Sequence, residues 1–242
     1  MKAGRLIGVG VGPGDPGLLT LKAIAALRDA DVVAHFAKAG NASNARAIVV
    51  GHLKDGVEEL PLLYPVTTEM PKAETEYRCA IGDFYDSSAS SVARHLDAGR
   101  VVAVLSEGDP LFYGSYMHLH VRLAERYATE VIPGVTGMSG CWSAIGTPIA
   151  QGDDVLTVLP GTLPEAELER RLADSNAVVV MKIGHNLEKV RRALQRAGRL
   201  ERAIYVERGT MANAVTMKLA EKTDGCAPYF AVVLVPGWAD RS

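Results

Sequence analysis

Short apolar runs alternate with stretches of helical periodicity along almost the whole chain. Residues 5–9 form a buried-strand pattern punctuated by glycine. In residues 18–28, Leu21, Ile24, Ala25 and Leu27 recur at the spacing of one helix face. Residues 32–36 read as a second strand and 42–52 as a second helix, and 57–64 is extended up to Pro65. A long helical region from about Pro71 runs to Asp97, where Gly99 supplies a stop. Arg100 then opens a β-branched strand over residues 100–105. This strand–helix–strand succession implies a mostly parallel sheet.

The second half repeats the alternation at shorter intervals. Strand patterns fall at 129–132, 155–159, 177–182, 203–207 and 229–235, with helical patterns ending at Ile145 and covering 165–172 and 187–197. The expected fold class is α/β, as two α/β domains, 1–117 and 118–242, meeting near residues 115–128. No low-complexity linker marks the boundary, which predicts rigid packing with a ligand cleft between the domains.

Composition narrows the partners. The chain has 242 residues, 48% of them hydrophobic, and a net charge of −2. That balance predicts a soluble globular protein with neither nucleic acid nor membrane as partner. Lys189, Arg191, Arg192, Arg196, Arg199 and Arg202 cluster, but Leu187, Val190, Leu194 and Ala197 recur among them, so most of the charges are expected on a solvated helix face. Cys79, Cys141 and Cys226 are odd in number and widely spaced, with no Cys-x-x-Cys pair, so neither a disulfide framework nor a zinc site is indicated. No signal-peptide core or membrane-length apolar run is visible, which makes a reducing cytoplasm the expected location. His118 and His120 sit two apart in a helical stretch, where they face different ways, so no metal site is expected.

Candidate chemistry lies in two Gly-Asp-Pro loops, each following an apolar strand. The first is Gly10-Val11-Gly12-Pro13-Gly14-Asp15-Pro16-Gly17-Leu18-Leu19-Thr20, and the second is Glu107-Gly108-Asp109-Pro110-Leu111-Phe112-Tyr113. Loops of this kind gather at the carboxyl edge of a parallel sheet, where α/β proteins hold ligands. The first loop lacks the Gly-Lys-Ser/Thr ending of a phosphate-binding P-loop. It satisfies G-x-G-x-x-G formally, but Asp15 stands where a pyrophosphate would approach. No acid ends the second strand to read a ribose, which counts against a nicotinamide dehydrogenase.

Five segments in order resemble the tetrapyrrole methylase family: residues 10–20, Glu107-Gly108-Asp109-Pro110, Pro133-Gly134-Val135-Thr136, Val180-Met181-Lys182 and Glu207-Arg208-Gly209-Thr210. Three further stretches narrow the match to the branch that methylates the C20 meso carbon of a reduced tetrapyrrole on the way to cobalamin. These are Leu62-Leu63-Tyr64-Pro65-Val66-Thr67 with the long helical segment after it, residues 108–117, and Gly146-Thr147-Pro148-Ile149-Ala150-Gln151-Gly152-Asp153-Asp154. The chain departs from the family pattern at Glu107, where relatives carry a small residue, and at Gly137, where many have serine or alanine.

The resemblance implies S-adenosylmethionine as cofactor and S-adenosylhomocysteine as product, folded in the interdomain cleft of a class III methyltransferase-like fold. The matching cofactor positions are Pro13, Glu107, Gly108, Asp109, Phe112, Thr136, Gly137, Met181 and Gly209. Met181 equally suits a buried strand, and Asp109 a turn cap. Tyr113, Tyr116 and Arg78 are candidate substrate contacts, with Arg94 and Lys72 as further cations for a ring bearing eight carboxylates; the tyrosines equally suit core packing, and the cations a solvated helix face. No residue is assigned as a catalytic base and none as a metal ligand. A homodimer is implied by the family alone. The alternatives are a cobalt-bearing substrate, another ring position, or a nucleotide-binding module without chemistry.

Overall fold

The computed structural model describes residues 4–65 and 75–237. Its chain divides into two compact units after Thr136. The expected boundary at 117/118 falls inside a helix of the first unit, so the division moves beyond one more helix and strand. That strand completes the first sheet, which is why it belongs there.

The first unit contains β1 (Arg5–Gly10), α1 (Leu21–Asp29), β2 (Val32–Lys38), α2 (Asn44–Val49), β3 (Glu58–Tyr64), α3 (Thr75–Asp97), β4 (Val101–Ser106), α4 (Tyr116–Leu123) and β5 (Ala128–Ile132). All five strands pair in parallel, in the order β3-β2-β4-β1-β5. Strands β1 and β4 are buried almost throughout, as strands covered on both faces must be. One face packs Ile7, Val9, Val33, Ala103 and Leu105 against α1 and α2. The other packs Leu6, Ala34, Val102 and Val104 against α3 and α4.

Local signals set several ends. The Thr20 hydroxyl caps α1 by accepting from the Ala23 N–H at 3.0 Å, and Ser43 caps α2 from the Arg46 N–H at 3.3 Å. Gly99 stops α3 with φ +78°, a conformation glycine adopts without strain. Val66, Thr67 and Lys72 lie outside the described residues.

The second unit contains α5 (Gly137–Ala144), β6 (Leu156–Pro160), α6 (Glu165–Asp174), β7 (Ala177–Met181), α7 (Leu187–Arg196), β8 (Ile204–Glu207), β9 (Val215–Lys218) and β10 (Ala231–Val235). Its sheet, β6-β7-β10-β8-β9, is mixed: β6 and β7 are parallel, whereas β10 runs against both β7 and β8, and β9 against β8. The expectation of a mostly parallel sheet fails here because β8 and β10 are not joined by a crossover helix. Strand β9 was not expected at all. It is a short, exposed edge strand with little apolar pattern to mark it.

Helices α6 and α7 cover one face of this sheet, around Leu168, Leu187, Val190, Leu194 and Tyr205, while α5 covers the other around Cys141, Val179 and Val206. The basic cluster is only partly a solvated face. Arg192 and Arg196 pair with Glu165. Arg191 bonds the carbonyls of Leu219 and Lys222, Arg199 those of Ser175 and Asn176, and Arg202 that of Pro236.

Candidate active site

Strands β4 and β5 flank β1, and the register brings their carboxyl ends level, with Gly10 opposite Ser106 and Val9 opposite Ile132. From β1 the chain turns to α1 on one face. From β4 it turns to α4 on the opposite face. The divergence leaves a crevice outside the strand ends. Three loops meet there through glycine backbones. A Cβ built on Gly10 would lie 2.5 Å from the Gly134 nitrogen and 2.8 Å from the Gly108 oxygen. One on Gly134 would lie 2.1 Å from that same oxygen. Gly12 and Gly108 exchange backbone hydrogen bonds of 3.3 and 2.7 Å, with φ of +78° and +65°. The floor of the crevice is therefore main chain packed directly on main chain.

Asp109 locks this floor together. Its Oδ1 accepts from the Leu111 N–H at 2.9 Å and its Oδ2 from the Gly134 N–H at 3.2 Å. Both oxygens are thereby used, and the side chain acts as a clamp between the second and third loops. Pro13 is half-buried in the first loop, and Phe112 is half-buried with its ring 4.8 Å from that of Tyr113 in an edge-on contact. Thr136, half-buried, closes the third loop.

Glu107 turns toward α2, accepting from the Ala45 backbone N–H and the Asn44 side-chain amide. Burial pushes its carboxyl above the usual carboxylate range, and those hydrogen bonds only partly oppose the shift. A carboxyl raised in the folded state costs stability once ionised. The cost is absent below the unfolded pKa and complete above the folded one. Glu107→Gln is expected to melt higher than wild type at pH 8 and to lose that margin by pH 4. Thermal melts across this range that show a pH-independent difference would sink this account of Glu107.

Beside the crevice, β3, α3 and α4 converge in a polar–aromatic cluster not anticipated from the sequence. The Tyr64 hydroxyl hydrogen-bonds Ser115 Oγ, and the Tyr85 hydroxyl reaches the same oxygen at 3.4 Å. Phe36 and Phe84 pack their rings against Tyr64, at 5.8 and 4.6 Å, and His118 stacks on Tyr85 at 3.9 Å. Ser115 precedes α4 without capping it, because its hydroxyl is taken by the tyrosines. Ser106 was also missed: its Oγ is buried beside Gly10 with no hydrogen-bond partner among the described residues. No sequence signal marks it, since serine ending a strand is common.

Tyr116 is corrected from substrate contact to core. It is fully buried beneath Gly8, where a Cβ would come within 2.4 Å of its ring. Its hydroxyl lies 3.2 Å from His120 Nδ1, and burial pushes its pKa up to about 12. Tyr113, by contrast, is exposed. Arg78 is exposed on the first turn of α3. Arg94 lies at the other end of α3, next to the start of β4 and therefore at the edge away from the loops, in a surface groove with Asp86, Asp97, Arg122 and Arg126.

In the second unit, β6, β7 and β8 share a carboxyl edge. Met181 ends β7, half-buried against Val179, Val206 and their neighbours, and its carbonyl accepts from the Gly161 N–H at 2.6 Å. Gly209 follows β8 so closely packed that a Cβ would meet Cys141 Sγ at 2.8 Å. Burial pushes the Cys141 thiol up to about 11 despite the Gly209 N–H, which marks it as a packing residue. Gly137 opens α5 with open space around its α-carbon, so no contact demands glycine there. No cluster of three metal-ligating side chains occurs among the described residues.

The model of the tetrapyrrole (corrin/porphyrin) methylases matches residues 5–223. A precorrin-2 C(20)-methyltransferase from a Sinorhizobium species is 67% identical over 238 residues, covering 98% of this chain and 97% of that protein. A cobalt-precorrin-2 C(20)-methyltransferase from Salmonella typhimurium is 26% identical, covering 96% of each. Among solved structures, a uroporphyrin-III C-methyl transferase from Thermus thermophilus complexed with S-adenyl homocysteine superposes with a TM-score of 0.65 at 25% identity, covering 95% of this chain and 96% of that one.

Proposed function

The chain belongs to the tetrapyrrole methylases, and from that premise we propose that it methylates C20 of precorrin-2 with S-adenosylmethionine, giving precorrin-3A on the route to cobalamin. The observation that carries this reading is the 67% identity, across nearly the full length of both proteins, to a relative named for that activity. The relative named for the cobalt-bearing substrate is far more distant, at 26%, which favours a metal-free ring.

The glycine loops fit the cofactor reading, because a side chain at Gly10 or Gly134 would strike the main chain of the neighbouring loop and drive apart the loops that would hold it. S-adenosylmethionine supplies a methyl group already activated on its sulfonium. The loops that carry Gly108, Asp109 and Gly134 would hold the cofactor, with Pro13, Phe112 and Thr136 as walls. In the second unit the same role falls to Met181 and Gly209. The substrate's C20 lies in an electron-rich, enamine-like system, so the protein's main tasks are alignment and exclusion of water. The same reading carries a cytoplasmic homodimer. No helix of the described residues is long and apolar enough to cross a membrane.

The test is anaerobic incubation with S-adenosylmethionine and metal-free precorrin-2, followed by mass spectrometry and by NMR of a carbon-13-labelled methyl group. One added methyl at C20 is expected. An unchanged tetrapyrrole with bound cofactor, alongside turnover of the cobalt form, would overturn the metal-free assignment.

A further inference from the structure

Among the described residues three non-glycine positions hold positive φ: Tyr113 at 55°, Lys182 at 54° and Arg208 at 50°. Each follows the carboxyl end of a strand. Lys182 is the residue after β7 and Arg208 the residue after β8. Both strands run against β10, so both cations stand on one edge of the second sheet.

Left-handed backbone is disfavoured for long side chains and free of strain only for glycine. Here the surroundings impose it. Gly161 donates to the Met181 carbonyl at 2.6 Å, and a Cβ on Gly161 would crowd the Met181 and Lys182 oxygens at 3.2 Å each. The Asn186 amide donates to the Lys182 carbonyl at 3.4 Å. At the second position the Arg208 N–H bonds the Phe230 carbonyl, and its own carbonyl accepts from the Met211 N–H, both at 2.8 Å. Two cations therefore occupy places where glycine would relieve strain, an arrangement that concentrates at ligand-binding edges.

The Arg208 side chain is also oriented. Its Nη1 bonds the Glu207 carboxylate, whose other oxygen accepts from the Tyr205 hydroxyl at 2.8 Å. A guanidinium has five donors, so this bond leaves the fork able to grip another carboxylate. Lys182 adjoins Met181 in the chain and Arg208 adjoins Gly209, the two cofactor positions of this unit. We propose that Lys182 and Arg208 recognise carboxylates of the polyanionic tetrapyrrole and so position its ring for transfer. This rests on the tetrapyrrole reading and names residues within it.

The experiment combines fluorescence titration with uroporphyrin III, a stable octacarboxylate, and turnover of precorrin-2. Lys182→Asn and Arg208→Asn remove charge while keeping a residue that tolerates left-handed backbone. Each is expected to weaken porphyrin binding and raise the tetrapyrrole KM about tenfold, leaving kcat and the cofactor KM within about twofold. Lys182→Gly is expected to melter higher by about 2 °C yet bind as weakly as Lys182→Asn. A purely structural lysine would not separate those two readouts. Unchanged porphyrin affinity in both asparagine variants, or no porphyrin binding by wild type, overturns the inference. Weakened binding in both, with no turnover by wild type, upholds the recognition and overturns the reaction instead.

Discussion

Replacing Gly134 with alanine is expected to lower the methyl-transfer rate at least about a hundredfold and the melting temperature by roughly 10 °C. The added methyl would sit 2.1 Å from the Gly108 carbonyl oxygen and 2.9 Å from the Gly10 α-carbon, and both neighbours are main chain. Neither can rotate away, so the loops after β4 and β5 must separate. The comparison is Gly82→Ala. Gly82 lies inside α3 with nothing within 4 Å of its would-be Cβ. There the same methyl should stabilise by roughly 0.5–1 kcal/mol, since alanine suits a helix better than glycine. Steady-state kinetics and thermal melts of both variants make the check. A Gly134→Ala enzyme with wild-type rate would show that the loops do not form the cofactor floor.

The second large effect is expected at Asp109. Asp109→Asn keeps the shape but offers an amide NH2 where one carboxylate oxygen accepted, and both oxygens face backbone N–H groups, those of Leu111 and Gly134. One donor is left facing another. The expected loss is about 2 kcal/mol of stability, with the KM for S-adenosylmethionine raised at least about tenfold. Asp109→Ala should lose more of both. Calorimetric titration with S-adenosylhomocysteine separates the cofactor effect from the kinetic one. Unaltered affinity in Asp109→Asn would mean that the clamp does not shape the cofactor loop.

The two Gly-Asp-Pro loops were legible because they carry their own local chemistry. Gly12 and Gly108 lie in those two loops and Gly134 in a segment the family resemblance marks, and all three meet at one strand edge. What could not be read is who touches whom. Asp109 was legible as a binding residue or a turn cap. The structure gives it the cap, and adds a bond to a loop 25 positions away. Tyr116, beside the second loop, suits a substrate contact or the core, and helical geometry carries it under Gly8, into the core. Lys182 and Arg208 were visible as the ends of two family motifs. Their strained backbone was not, because φ depends on the packing of Gly161 and Phe230.

The sequence by itself determined the order and kind of most elements, together with the two Gly-Asp-Pro loops. These depend on periodicity, caps and turns that act within a few residues. The point of division, the antiparallel strands of the second sheet, the Tyr64–Ser115–Tyr85 cluster and the glycine floor were decided only by the tertiary structure. Each is a contact between residues far apart in the chain. A pattern of apolar and polar positions says which side of an element is buried, but not which partner covers it.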